Sequence, residues 1–448
     1  MNNLPSDSIT EIYNFISDKD VKIYDTNLDM LDIINQYLEK KKGEQSFIVV
    51  DLGDVIRQFF KWKKNLPRIT PYYAIKCNPC PIIIELLNKL GCCFDCASQQ
   101  EILKTINLGI DPKNIIFANP CKPVDFIKFS RSNDVDLLVI DSSYELYKIK
   151  LYHPEASLLV RIQTDDSKSL CKFNCKFGVE LDQVKEILEL GKILNLNIIG
   201  VSFHVGSGCE DAHVYNTALH DCKKVFEIAL SLDIHMNLID IGGGFPGTDD
   251  GKVLFETMAE VINKSIDELF KDRNDITFIA EPGRYFVSSS HTIVCSIINK
   301  KEKTISKKRK ITNHEEHNSK EINDNNQNLN KEINDNNSNK EINDKSIETT
   351  EKLITYYISD GVYKSFSNII FDYGKPEFIP FNERTEKTYQ SIIYGESCDS
   401  LDIISKNCQL PSLAIGESII VKNMGAYTIA SSTEFNGFTK AELFYIMT

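Results

Sequence analysis

The chain has 448 residues, of which 42% are hydrophobic, and it carries a formal net charge of −13. This length predicts about two domains, and an acidic chain without an extended basic face is not expected to bind nucleic acid. No apolar run approaches the roughly 20 residues of a membrane span, and no basic cluster precedes an apolar stretch at the N-terminus. We therefore expect a soluble, cytoplasmic protein that does not enter a membrane.

Short apolar runs alternate with longer amphipathic segments between residues 70 and 285, which is the pattern of repeated βα units. Eight strands with seven helical crossovers predict an α/β fold, a (β/α)8 TIM-like barrel rather than an open sheet. The predicted strands span residues 72–76, 92–96, 114–118, 137–141, 158–162, 199–204, 238–241 and 277–281.

The flanking segments lack this rhythm and predict a second, mostly β domain. Its strand candidates lie at 47–52, 292–298, 353–358, 417–422 and 443–447. We therefore predict that residues 1–50 contribute to the β domain, that 51–290 form the barrel and that 291–448 form the β domain.

Residues 300–351 are rich in Lys, Glu, Asn and Asp, and the sequence KEIND occurs three times, beginning at Lys320, Lys331 and Lys340. Such a segment buries too little apolar area to offset its chain entropy, so we predict a disordered insert between two strands. The basic run at 307–310 is interpreted as a solvated charge run, with a targeting role as the alternative.

Thirteen cysteines, an odd number, indicate free thiols in a reducing compartment. Cys77 with Cys80, and Cys93 with Cys96, form two C-x-x-C pairs whose separation is close to that of a structural zinc site. The pairs lie in or beside apolar runs rather than in tight knuckles, so we interpret them as buried thiols and predict no metal.

Polar residues at the carboxyl ends of barrel strands indicate the active site. Lys76 ends an apolar run, where an unpaired charge is costly. Gly242, Gly243 and Gly244 follow a late strand and would let backbone amides approach a phosphate, and Arg284 offers a counter-charge. A lysine, a phosphate site and the Glu281 carboxylate together indicate pyridoxal 5'-phosphate, which needs an amine and a carboxylate on its pyridine nitrogen.

Five segments in order resemble the eukaryotic ornithine decarboxylase family, which belongs to the alanine-racemase-like enzymes that use pyridoxal phosphate. They are PYYAIKCN at 71–78, FDCAS at 94–98, SFHVGSG at 202–208, DIGGGFPG at 240–247 and AEPGRY at 280–285. The resemblance implies a homodimer whose active sites are shared across the subunit interface.

The same resemblance implies individual roles. Lys76 would hold the cofactor as a Schiff base, Glu281 would bind the pyridine nitrogen and His204 would stack on the ring. Phosphate ligands and a polar surround would complete the cofactor site. The phosphate ligands are Ser207, Gly244, Arg284 and Tyr427, and the surround is Asp95, Glu101 and Arg161.

Two further matches concern the reaction. Cys398, in GESCD at 395–399, would protonate the α-carbon from the partner subunit, and a thiol is a reasonable general acid because its ordinary pKa of about 8.5 lies near working pH. Asp372 and Asp399 would bind the distal ammonium of the substrate. Phe371, where the family more often has Tyr, Tyr363 and Phe435 would line the same pocket.

The resemblance therefore implies decarboxylation of L-ornithine to putrescine, the first step of polyamine biosynthesis. One alternative is a catalytically inactive, antizyme-inhibitor-like regulator, although this chain keeps the cofactor residues that such a protein does not need. Another is a decarboxylase that prefers lysine, because one methylene is worth only about 1 to 3 kcal/mol of discrimination. An antizyme partner at residues 124–147 stays open because acidic and basic residues are mixed there.

Overall fold

Eight parallel strands form a closed barrel in the computed structural model, which describes residues 6–24, 28–41, 43–310 and 346–448. The last barrel strand pairs with the first, with Phe278 opposite Ile69, and this pairing closes the ring. The (β/α)8 prediction is confirmed. The strands are Ile69–Ala74, Cys93–Cys96, Ile115–Phe117, Leu137–Ile140, Ser157–Arg161, Asn197–Ser202, Leu238–Asp240 and Thr277–Ala280.

Amphipathic helices connect these strands and cover the barrel. Pro81, at the first position of its helix, has the fixed backbone angle that starts a helix well, and Ile83, Leu86 and Leu87 bury one face of that helix completely. Helix Leu52–Asn65 precedes the first strand, and the crossover helices are Pro81–Lys89, Gln99–Asn107, Val124–Ser132, Ser143–Tyr152, Val184–Ile193, His213–Ser231 and Phe255–Phe270.

A mostly β sheet forms the second part of the structure, as predicted for the fold class. Strand Phe47–Asp51 lies inside it, antiparallel to the strand that begins at His291 and parallel to Glu442–Met447. Chain ends far apart in sequence therefore meet in one sheet. Its strands are Lys22–Ile23, Phe47–Asp51, His291–Lys310, Ser346–Ile358, Ile379–Pro380, Tyr389–Tyr394, Ile403–Leu410, Ser418–Val421 and Glu442–Met447.

The prediction of disorder for residues 300–351 is wrong at both ends of that segment. Residues 300–310 pair in antiparallel register with 346–356, with Lys310 opposite Ser346. Composition alone did not predict this pair of strands, because it does not show that neighbouring carboxylates balance the charge of the lysines. Glu302 lies 2.8 Å from the Lys300 ammonium and 2.7 Å from that of Lys352. Residues 311–345, which contain the KEIND repeats, lie outside the described residues.

The N-terminal residues contact both parts of the fold. Helices Ser6–Asp18 and Met30–Lys40 were not predicted, and the first packs against barrel helix Pro81–Lys89. Lys19 supports this contact with an ion pair of 2.9 Å to Glu85. Residues before the sheet strand Phe47–Asp51 therefore also contact the barrel, and the domain boundaries stay a prediction.

None of the described helices is both long and apolar enough to cross a membrane. The cysteines of the two C-x-x-C pairs are free. Cys80 contacts the Tyr445 hydroxyl at 3.2 Å and Cys96 contacts Thr105 at 3.5 Å, so these two thiols have separate protein partners.

Candidate active site

Lys76 lies at the carboxyl-terminal rim of the barrel. We had predicted that Lys76 ends the first strand. The strand instead ends at Ala74, and Lys76 belongs to the 3₁₀ turn Ile75–Cys77. Its ammonium lies 3.9 Å from Oδ2 of Asp95, and its side chain is 41% exposed. Burial alone would lower the pKa of Lys76, but the charges of Asp95 and Glu281 outweigh this effect and raise it. The amine of Lys76 thus lies beside the carboxyl group of Asp95, and part of the lysine side chain is open to solvent.

Three carboxyl groups crowd this rim, on Asp95, Asp240 and Glu281, and none is more than 7% exposed. Burial raises the pKa of Asp240 to about 7. Burial, followed by a neighbouring carboxylate, raises the pKa of both Asp95 and Glu281 well above the usual range. Among the described residues, both carboxylate oxygens of Asp95 and Oδ2 of Asp240 have no hydrogen-bond partner. Buried polar groups without partners indicate a missing polar ligand.

His204 follows the sixth barrel strand and is held in one orientation. The backbone N–H of Gly206 donates to its Nδ1 at 3.0 Å, and the edge of the Phe173 ring packs at 4.9 Å between centroids. Burial, and then the charges of Arg161 and Lys76, lower the pKa of His204 well below its ordinary value. The ring is therefore neutral, with its proton on Nε2.

The three glycines allow a close packing that side chains would prevent. A Cβ at Gly243 would lie 2.7 Å from the carbonyl oxygen of Glu281 and 2.9 Å from Nε2 of His204. A Cβ at Gly242 would lie 2.1 Å from a backbone oxygen, and Gly244 has a φ of 117°, which favours glycine. The turn therefore brings bare backbone against the candidate ring-binding residues.

Arg284 joins two groups that the sequence assigned to different ligands. Its Nη2 donates to the Ser207 hydroxyl at 2.7 Å, and its guanidinium forms a two-pronged ion pair with Asp372 at 2.6 and 3.0 Å. The guanidinium also lies 5.2 Å above the ring of Tyr427. The predicted phosphate ligands and the predicted ammonium ligand Asp372 are thus assembled in one place.

Four predicted substrate and proton-transfer residues form a separate group. The hydroxyl of Tyr363 donates to Asp399, and its ring stacks on Phe435 at 4.2 Å. Cys398 is exposed, and its backbone N–H donates to Oδ1 of Asn436 at 3.2 Å. Within the described ranges, none of the hydrogen bonds or ion pairs of this group connects it to Lys76.

The remaining predicted residues differ in exposure. Phe371 is 66% exposed, so the pocket wall proposed for it is not formed within one chain. Arg161 ends the fifth strand, with its guanidinium 5.3 Å from the Phe177 ring centre. The Glu101 carboxylate accepts the N–H of Ala97 at 2.6 Å and so fixes the turn after Asp95.

Sequence reasoning missed several members of the site. Asp240 was quoted within a motif but given no role, although an aspartate at a strand end before glycines was a usable signal. Phe173 and Cys171 carried no signal, and the Cys171 thiol lies 3.6 Å from Oδ1 of Asp372. A cavity of about 650 Å³ beside the barrel is lined by Arg284 and Asp372 among the predicted residues.

The residues present fit pyridoxal phosphate. The cluster of buried carboxyl groups on Asp95, Asp240 and Glu281 suits a cationic ring nitrogen, and the glycine turn beside Ser207 and Arg284 suits a phosphate. Lys76 supplies the amine. No geometry beyond these contacts is needed to account for the arrangement.

Comparison with known proteins agrees with this geometry. The profile of the family described as "Pyridoxal-dependent decarboxylase, pyridoxal binding domain" matches residues 52–288. A probable ornithine decarboxylase of Dictyostelium discoideum is 40% identical over 426 residues, or 95% of this chain and 85% of the relative. Rattus norvegicus ornithine decarboxylase is 39% identical and covers 96% and 87%. Antizyme inhibitor 2 of Xenopus laevis is 40% identical and covers 93% and 84%.

Solved structures share the whole architecture. The arginine decarboxylase of Paramecium bursaria Chlorella virus superposes with a TM-score of 0.79 at 31% identity, covering 93% of this chain and all of that one. The lysine/ornithine decarboxylase of Vibrio vulnificus complexed with putrescine gives 0.75 at 28% identity, covering 93% and 98%. The chain therefore belongs to the fold-type III pyridoxal-dependent decarboxylases, among the eukaryotic ornithine decarboxylases, and pyridoxal phosphate is its cofactor.

Proposed function

We propose that this protein decarboxylates L-ornithine to putrescine and carbon dioxide, the first step of polyamine biosynthesis, in the cytoplasm. The observation that carries the proposal is the Lys76 ammonium 3.9 Å from Asp95, whose buried oxygens have no hydrogen-bond partner among the described residues. Relatives named ornithine decarboxylase match over more than nine-tenths of the chain. Membership of a decarboxylase family and this rim geometry support the same chemistry.

Each of these rim residues has a separate proposed role in holding the cofactor. Lys76 would supply the amine for the aldehyde carbon, Glu281 would hold a proton at the ring nitrogen, and the neutral His204 would pack on the ring. When bound, pyridoxal phosphate accepts the electron pair that is left as carbon dioxide departs. Arg284 and Ser207 orient the phosphate through charge-assisted hydrogen bonds.

Selection of a diamino acid rests on Asp372 and Asp399. In the structure, Asp372 is paired with Arg284 at 2.6 Å. Arg284 would share its guanidinium donors with a phosphate, and carboxylate oxygens of Asp372 would then be free for the distal ammonium of the substrate. Two carboxylates at one ammonium favour ornithine over a neutral amino acid.

The proton donor comes from a second copy of the chain in this proposal. The hydrogen bonds of Cys398 and Asp399 do not involve Lys76. Exposed apolar side chains lie beside Asp372, the Cys398 loop or Asn436 in the sequence, which supports an interface. A homodimer would bring the Cys398 loop of one protomer to the Lys76 rim of its partner. The exposed apolar residues are Ile370, Phe371, Tyr373, Leu401 and Phe435.

Shared sites are tested by mixing Lys76→Ala and Cys398→Ala, each of which lacks a group that diamine formation needs. In a heterodimer one site carries both substitutions and the other carries neither, so random exchange restores about a quarter of the wild-type rate of diamine formation. Activity no higher than that of the separate variants would show that each chain supplies its own proton donor.

Two alternatives are separated by substrate. A lysine-preferring enzyme is favoured only by structural neighbours such as the lysine/ornithine decarboxylase, and an inactive regulator only by the antizyme inhibitor relative. The test is kcat/KM for ornithine, lysine and arginine. We expect ornithine to exceed lysine by about tenfold or more; equal values would remove the specificity, and no carbon dioxide from any substrate would favour the regulator.

Antizyme binding stays a proposal for the surface at 124–147. Lys128 and Arg131 lie there, but each has an acidic neighbour, Asp125 at 3.9 Å and Glu155 at 3.0 Å. The surface is therefore less positive than its basic residues alone suggest.

A further inference from the structure

The loop that carries Cys398 is held by three consecutive residues of one turn. The Val362 N–H donates to Asp402 at 2.8 Å, and the Tyr363 hydroxyl donates to Asp399. The Lys364 ammonium lies 2.5 Å from Glu396 Oε1. Glu396 and Asp399 lie on either side of Cys398 in the sequence, so the turn contacts the loop before and after the thiol.

The pair between Lys364 and Glu396 is buried, with side chains only 7% and 14% exposed. The Lys364 ammonium also donates to the carbonyl oxygen of Ser359 at 3.4 Å. In contrast, the side chains of the Arg131–Glu155 pair on the barrel surface are 48% and 63% exposed. A buried pair is screened little by solvent, and removing one partner leaves an uncompensated charge, so the pair restrains geometry more firmly than a surface pair does.

Cys398 has little of its own to fix its position. Its side chain is exposed, and its hydrogen bond to Asn436 is made by the backbone N–H. The location of the thiol therefore depends on the loop backbone, and so on the contacts at either end of the loop. Proton delivery is sensitive to the position of the thiol, because the donor must come within hydrogen-bond reach of the atom that it protonates.

We propose that Lys364 and Glu396 are positioning residues, whose buried ion pair sets where Cys398 presents its thiol. The inference rests on the proposed function, in which that thiol protonates the α-carbon. Lys364 and Glu396 act through the loop and contact no substrate.

The direct readout is the ratio of diamine formed to carbon dioxide released. When the proton reaches the α-carbon, each decarboxylation gives one diamine. When it is delivered elsewhere, water instead releases 4-aminobutanal and the amino group stays on the cofactor, so carbon dioxide exceeds diamine. We expect Glu396→Gln and Lys364→Met each to lower the ratio by about twofold or more, and the exchange Lys364→Glu with Glu396→Lys to restore most of it.

A second readout needs no cofactor. Alkylation of Cys398 by iodoacetamide is followed by peptide mass spectrometry, with the exposed Cys121 of the same chain as the internal reference. Each single substitution is expected to change the Cys398 rate relative to Cys121, and the charge exchange to bring it back. Glu417→Gln is the matched control, because Glu417 pairs with Arg384 elsewhere in the β sheet and its loss leaves both readouts unchanged.

Wild-type ratios and alkylation rates in both single variants would overturn the inference. If a single variant fails to fold, the charge exchange decides: restored folding without a restored ratio also overturns it. Cys398→Ala separates the proposed role of the thiol from the positioning role of Lys364 and Glu396. A ratio near that of wild type in Cys398→Ala removes the proposed role of the thiol, whereas a low ratio there with normal Glu396→Gln removes only the positioning role.

Discussion

At the scale of single residues, the site is shaped by an excess of buried carboxyl groups. Asp95, Asp240 and Glu281 lie near Lys76 and Arg161, and their raised pKa values mean that these acids retain protons more readily than exposed carboxyl groups do. Such crowding is costly for folding and is typical of functional sites. These oxygens would have a cationic partner when the cofactor is bound.

Asp372→Asn tests the ammonium site. Loss of the negative charge is expected to raise KM for ornithine by about tenfold or more, with a smaller change in kcat, because a charge-assisted hydrogen bond is lost in binding. Cofactor affinity should not fall, since Arg284 loses a competitor for its donors. The measurement is steady-state kinetics beside cofactor titration.

Glu377→Gln is the control for this substitution, because Glu377 is an exposed carboxylate on the same loop. An unchanged KM in Asp372→Asn would place the ammonium elsewhere.

Lys76, Glu281 and the glycines were predicted as site residues because they lie at the carboxyl ends of predicted strands, where the active site of a barrel is found. The Arg284–Asp372 pair could not be predicted, because the two residues are brought together only when the sheet packs on the barrel. For Cys398 and Asp399, the resemblance alone supplied the roles, and nothing in the sequence indicates that their contacts are with Asn436 and Tyr363 rather than with Lys76.

At the scale of elements, the turn after strand Leu238–Asp240 tolerates little change. Its glycines leave no room for a methyl group against Glu281 and His204. Other elements were visible through hydrophobic alternation, as in the barrel strands. Strand Ile403–Leu410 was missed because Ser405, Lys406 and Asn407 interrupt its pattern, and its pairing with Tyr389–Tyr394 determines it instead.

Gly243→Ala is expected to lower cofactor affinity by about tenfold or more, because the added methyl displaces His204 or the Glu281 backbone. Affinity is measured by fluorescence quenching on titration with pyridoxal phosphate. Gly251→Ala is the matched control, since a Cβ there meets nothing closer than 3.8 Å. Equal affinities in the two variants would show that the turn does not contact the cofactor.

At the scale of the whole molecule, a buried polar network joins the barrel rim to the β sheet. Asn78, just after the Lys76 turn, donates to Nε2 of His291 at 3.1 Å and to the Gly425 carbonyl at 2.9 Å. Ser290 uses its proton on Val287, so it accepts from Nδ1 of His291 at 2.8 Å. His291 is therefore neutral, and the network fixes the loop that leads to Tyr427.

This network predicts a pH dependence of stability. Burial lowers the pKa of His291 to about 4, whereas histidine in an unfolded chain titrates near 6.5. Between these values the unfolded chain takes up a proton that the folded chain does not, so the free energy of unfolding falls by up to about 3 kcal/mol as the pH decreases. Above about pH 6.5 this contribution is complete.

The measurement is the midpoint of thermal unfolding at pH 7.5 and pH 5 for wild type and His291→Gln. The variant is expected to lose less stability on acidification than wild type. His235→Gln is the control, because His235 is 74% exposed and should leave the wild-type difference intact. The same difference in His291→Gln as in wild type would remove His291 as its source.

The most direct test of the central claim is carbon dioxide release from carboxyl-labelled ornithine by cofactor-loaded wild type and Lys76→Ala. The control is Lys104→Ala, which changes an exposed lysine of helix Gln99–Asn107. The account predicts release by wild type and Lys104→Ala, and a loss of about a hundredfold or more in Lys76→Ala. No release by wild type, or undiminished release by Lys76→Ala, would contradict it.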